Sequence, residues 1–184
     1  MAQIPFDPNR LSAMDRAEYE RMVARRKAKG APFDGPYAAL MNHPQLCARI
    51  EELGFYLKFE GHLPRNIYQF TVLCVARHTG AAFEWADHVE HCRAAGVPEE
   101  VIETLRTQGM SEGSFPPPYA LVAEILAEAL HWENISPDAQ AAAVAAYGME
   151  GFVEIVVLAG FYEMFSTINQ GFDVQPGADR PKAF

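Results

Sequence analysis

The chain has few cysteines and no paired spacing among them. Its three, Cys47, Cys74 and Cys92, are scattered through apolar, helix-like segments, and no two stand at CxxC spacing. An odd count so placed does not build a secreted disulfide framework. Buried, reduced thiols in a cytoplasmic protein are the expectation. An excess of positive charge is missing as well. The net charge is -9, whereas a nucleic-acid partner needs a basic face for its phosphates. Met1 to Asp7 lack the basic start and apolar core of a signal peptide. No apolar run reads as long enough to span a bilayer, so no membrane partner is expected. Alternating strand-like runs are absent too, which argues against a sheet.

What the chain does have is helix punctuation. Its 184 residues, 49% hydrophobic and 21% charged, suit a single globular domain. Ser12 and Asp15 read as a capping box for a helix that ends near Gly30. The basic run Arg25-Arg26-Lys27-Ala28-Lys29 is expected in its solvated last turn, where cations suit the dipole. Pro44 opens a helix to about Glu60, Pro64 one to about His78, and Ala81 to Ala95 form the next, closed by Gly96. A short helix follows Pro98, and Pro116-Pro117-Pro118 is a rigid connector. Tyr119 to Trp132, Pro137 to Gly148 and Met149 to Gln170 are also helical, and the tail from Phe172 is an arm or poorly ordered. The prediction is an all-α fold of about seven or eight helices. The helices after Pro64 and Met149 are apolar almost all round, which places them in the core or at a subunit interface. A homo-oligomer is expected.

The chemistry concentrates in Phe83-Glu84-Trp85-Ala86-Asp87-His88-Val89-Glu90-His91. On a helix, Glu84 and His88 lie one turn apart on a face otherwise made of small residues. A carboxylate and an imidazole on a buried face are costly unless they pair or do chemistry. Glu84, His88 and His91 also offer metal-ligand types along one helix, but no clear fourth ligand accompanies them. His91 is expected to pair with Asp87 on the outer face. His62 and His78 sit at helix ends, where an imidazole caps carbonyls, with the pocket mouth an alternative for His62. Trp85 reads as a core or interface aromatic, with pocket lining the lesser alternative.

Several elements together resemble the carboxymuconolactone decarboxylase superfamily, which includes the alkylhydroperoxidase D (AhpD) proteins. They are Gly35-Pro36-Tyr37, Asn42-His43-Pro44-Gln45-Leu46, Leu63-Pro64-Arg65, Glu84-Trp85-Ala86-Asp87-His88, Ala94-Ala95-Gly96-Val97, and Gly160-Phe161-Tyr162 with Asn169. The resemblance covers residues 35–172, between an N-terminal helix and linker (1–34) and a C-terminal tail (173–184). It implies an all-α, AhpD-like bundle built around an antiparallel helical hairpin, assembled as a homo-oligomer (dimer, trimer or hexamer). In the peroxidase branch a glutamate precedes a CxxC pair, and a histidine follows one turn after the second cysteine. Laid over this chain, those positions are Gln69, Ala81, Glu84 and His88. The histidine alone survives, and without an attacking and a resolving thiol the peroxidase reaction has no route at that motif. A relocated pair made from Cys74 and Cys92 is the remaining thiol alternative.

The decarboxylase branch implies cofactor-independent acid–base chemistry, either decarboxylation or proton transfer, on a small organic acid or lactone. In that reading His88 is the acid/base and Glu84 orients it or raises its pKa. Gln69, Trp85, Tyr162, His62 and Asn169 contact substrate, and neither a metal nor an organic cofactor is expected. The alternative from another class is a non-catalytic protein that holds a small ligand in the same cavity.

Overall fold

The computed structural model describes residues 5–178 and 180–184; Met1 to Ile4, the start of the segment judged to lack a signal peptide, lie outside the described residues. A 3-10 turn at Pro8–Arg10 precedes eight α-helices: α1 (Ala13–Ala28), α2 (Gly35–Leu40), α3 (Pro44–Phe59), α4 (Arg65–Thr79), α5 (Ala82–Ala94), α6 (Glu99–Glu112), α7 (Tyr119–Leu130) and α8 (Pro137–Gly171). No strand occurs among the described residues. The all-α expectation holds, and most ends fall where the punctuation put them. Ser12 caps α1 by accepting the Asp15 amide at 3.1 Å and donates its hydroxyl to the Asp15 carboxylate at 2.7 Å.

The core is organised around α4, which packs against α5, α6, α7 and α8. Ten consecutive residues, Ile67 to Ala76, are buried on it, as expected of a helix apolar on every side. Gly80 and Ala81 turn the chain directly into α5, so α4 and α5 pack side by side.

Gly148, expected as a stop, holds φ 72° and ψ 173°, a non-helical conformation that divides Pro137–Gly171 into two helical halves where the punctuation put the break. Within Pro137–Gly171 an eighteen-residue window is apolar enough, by length and composition alone, to cross a membrane, with 28% of it buried. That corrects the reading that no run approaches such length: Glu150, Glu154 and Glu163 are too few to break up the apolar stretch after Gly148. One face of α8 (Ile155, Ala159, Tyr162, Ser166, Asn169) is buried, whereas Met149, Val153, Val156 and Val157 are exposed.

Two further expectations are corrected. The basic run is not all solvated: Arg26 is buried, Arg25 pairs with the fully buried Glu51 of α3, and Arg26 Nη1 lies 4.0 Å from the same carboxylate. The cause is the docking of α1 on α3, which the local sequence does not record. The tail is not a loose arm. Val174 is buried, Arg180 Nη1 lies 3.2 Å from Asp87 Oδ1, and the Phe184 ring meets Trp85 edge-on at 5.4 Å.

Candidate functional site

α5 supplies Glu84 and His88 one turn apart, with Asp87 beside them. α4 brings Tyr68 and Gln69, and α8 brings Tyr162, Ser166 and Asn169 from its buried face. His88 and Glu84 are each only 3% exposed, so the face is enclosed as expected.

The partner that orients His88 is Gln69 rather than Glu84. Gln69 Oε1 lies 2.8 Å from His88 Nδ1, and as an acceptor it fixes the ring proton on Nδ1. That leaves the Nε2 lone pair free. Nε2 faces the Tyr162 hydroxyl at 3.5 Å, Asp87 Oδ2 at 3.7 Å and Glu84 Oε2 at 3.8 Å. Burial, followed by the nearby positive charge of Lys58, pushes the imidazole well below its ordinary range. At neutral pH the ring is therefore uncharged, and its approach to Glu84 is not an ion pair.

Glu84 is held from the other side, where Asn169 Nδ2 donates to its Oε1 at 2.7 Å. Burial raises the carboxyl to about 7 despite that hydrogen bond. It is a proton reservoir at neutral pH beside an uncharged imidazole. The Tyr68 and Tyr162 hydroxyls are 2.6 Å apart, which connects His88 to a second phenol. Burial raises both phenols, so they remain protonated.

His88, Glu84, Asp87 and Tyr162 line a cavity of about 40 Å³, room for one or a few waters. Its other walls are residues that the sequence reading missed as functional: Arg26 from α1, Asp34 and Tyr37 around the start of α2, and Lys58 from the last turn of α3. The available signal was Lys58 itself, a lone cation in the apolar run from Gly54 to Phe59. Burial lowers Lys58 to about 8, and it raises Asp34, which also feels the Asp87 charge.

Phe83 lines this cavity and also an open groove of about 690 Å³ along the α4–α5 turn and the C-terminal half of α8. Its ring lies over Gly35, where an added Cβ would fall 2.3 Å from the ring and where φ is +55°. Phe83 is thus the side chain that the groove and the smaller cavity have in common.

The remaining predicted site residues are placed as follows. Tyr162 lines the cavity, Asn169 lines the groove while holding Glu84, and Gln69 lies behind His88 with its Nε2 unpartnered. Trp85 is not among the cavity's lining residues; it is buried and packs on Phe184. His62 is not among them either. Its ring and backbone amide, with the Leu63 amide, bind Glu154 of α8 at 2.9–3.1 Å. The expected pairing of His91 with Asp87 is replaced, since Asp87 reaches Arg180 and His88. Among the described residues, Glu84, His88 and His91 do not form a metal-holding group. Cys74 and Cys92 influence each other within the core, but burial raises both thiols, Cys92 to about 12. That is the opposite of what an attacking thiolate needs.

No protein-family model matches the chain, and no curated protein does. Among solved structures it is similar to a protein of unknown function from Agrobacterium tumefaciens, described as a candidate AhpD antioxidant-defence protein. The TM-score is 0.65 at 19% identity, covering 79% of this chain and 100% of that one. A helical bundle centred on the α4–α5 pair, superposable on such a structure across most of its length, is the AhpD-like fold.

Proposed function

We propose that this protein is a cofactor-independent acid–base enzyme acting on a small organic acid or lactone, by decarboxylation or proton transfer. A single observation carries the reading: an uncharged imidazole, locked by Gln69 with its Nε2 unprotonated and turned to Tyr162, shares a small cavity with a carboxyl poised near neutrality. His88 accepts a proton at Nε2, Glu84 supplies one, and Tyr162 donates a hydrogen bond to a developing oxyanion. Gln69 serves as the positioning residue for the ring.

Substrate would reach the cavity past Phe83, the side chain that cavity and groove share. The groove, with Asn169 and Ser166 on its wall, gives the rest of the molecule a polar surface. The exposed apolar face of α8 supports a homo-oligomer built on that helix.

The test is turnover across a panel of small carboxylic acids and lactones, followed by carbon dioxide release and by solvent deuterium uptake. His88→Gln is expected to lower kcat by about 10²–10⁴-fold, the usual range for a general acid or base. Unchanged kcat in both His88→Gln and Glu84→Gln would overturn the reading. Ligand affinity with no turnover in the wild type would leave a binding protein instead.

A further inference from the structure

The chain has four lysines, and three of them, Lys27, Lys29 and Lys182, are exposed. Lys58 is the exception. It leaves the last turn of α3 and lines the small cavity with His88 and Tyr162. Among the described residues its amine makes no hydrogen bond or ion pair, and the Phe59 ring lies 6.0 Å away at its centroid. Lys58 is half-buried, and burial lowers its ammonium to about 8, so that on the order of a tenth of it is the free amine at pH 7. The charged groups around it are Arg26 from α1, Asp34 from the loop before α2, Arg65 from the start of α4, and Glu84 and Asp87 from α5. Burial is the largest influence and disfavours the ammonium, Arg26 and Arg65 act in the same direction, and Asp87 and Glu84 favour it. A neutral lysine amine is a nucleophile towards carbonyl carbon, and a desolvated pocket is the usual way to obtain one.

We propose that Lys58 is a carbonyl-binding lysine, its amine forming a Schiff base with a small 3-oxo acid in the cavity it shares with His88 and Tyr162. The inference rests on His88 and Glu84 acting as the site's proton carriers, and it supplies the electron sink that a decarboxylation without cofactor requires. The cavity takes the ketone carbon and its oxygen, and the rest of the substrate extends past Phe83 towards the groove.

The lysine nitrogen adds to the ketone carbon, and loss of water gives an imine protonated on nitrogen. The bond from the α-carbon to the carboxylate then breaks. Its electron pair moves into the iminium, releasing carbon dioxide and leaving an enamine. Glu84 delivers a proton to the enamine carbon, and a water molecule hydrolyses the resulting iminium to free ketone and amine. One water is lost and one regained, one proton is consumed overall, and no outside electron acceptor takes part.

The experiment is reductive trapping. The full chain is incubated with acetoacetate and sodium cyanoborohydride, and the products are mapped by peptide mass spectrometry. The expected result is one dominant adduct on Lys58 in the wild type, retained in His88→Gln and lost from Lys58→Arg. Trapping in the wild type needs no variant to fold, so a misfolded Lys58→Arg does not spoil the test. Lys58 left unlabelled, or labelled no more than Lys27, Lys29 and Lys182, overturns the proposal. If Lys58 is unlabelled while His88→Gln still abolishes turnover of some organic acid, the Schiff base falls and the acid–base reading stands. Labelled Lys58 without carbon dioxide release supports the amine assignment and sinks decarboxylation.

Discussion

At the scale of single residues, the site is governed by what burial does to ionisation. Glu84 titrates near 7 in the folded chain against an ordinary glutamate value of 4.5. The folded state therefore holds its proton more tightly than the unfolded one, and between those values stability falls as pH rises. His88 works in the opposite sense. Its folded value lies below the ordinary 6.5, so its contribution is present above that pH and is lost as pH drops. The two oppose each other in mild acid, and Glu84 outweighs His88 as pH passes from 6.5 to 7. Glu84→Gln mimics the protonated carboxyl and keeps an acceptor for Asn169. It is expected to gain on the wild type by on the order of 3 kcal/mol between pH 5 and pH 8, read from urea midpoints at each pH. A wild-type advantage that stays constant across that range would contradict this. The Glu84–His88 pairing was legible because i, i+4 spacing on a helix needs no tertiary knowledge. Gln69 as the orienting partner was not, since it depends on how α4 lies against α5.

At the scale of elements, the α1–α3 contact shows where local reading fails. Arg25 and Arg26 stand at a helix end, where cations are usually solvated. α1 instead docks on α3, and both guanidiniums converge on Glu51, which is 0% exposed. Removing one member of such a cluster leaves buried charge without its counter-charge. Glu51→Ala is expected to destabilise the fold by about 3 kcal/mol in urea unfolding. Glu99→Ala, which breaks an exposed pair with Arg93, should cost under about 1 kcal/mol. Helix boundaries were readable because their signals are local: the Ser12 cap, Pro44, and Gly80 in the left-handed region. Gly148 was readable for the same reason, since its φ of 72° and ψ of 173° leave the helical region at a single residue.

At the scale of the whole molecule, the monomer leaves apolar surface without cover. Trp132 is 89% exposed and Val153 51% exposed, and the two border a common groove with Val156 and Val157. Contiguous apolar surface of this kind marks association. Under the homo-oligomer proposal, Val156→Lys is expected to shift the sedimentation coefficient to that of a monomer while leaving the circular dichroism spectrum intact. An unaltered assembly would move the interface elsewhere. The mostly apolar composition of α8 after Met149 was visible beforehand, but which side faces inward follows only from the docking of α4 and α7 against it. The fold was the most legible level, because it needs only helix lengths and apolar periodicity. The cavity was the least, because its walls come from α1, α3, α5 and α8 at once.

A ligand that reaches the cavity by way of the groove has to pass the Phe83 ring seated on Gly35, and such a passage gives its exchange a clock of its own. A molecule waiting outside gains nothing from crowding once the ring's swing is the slow event. The observed association rate should therefore level off with concentration in stopped-flow traces. Trimming the side chain in Phe83→Ala should restore a straight line. Departure would quicken in step with arrival, because one hinge times both.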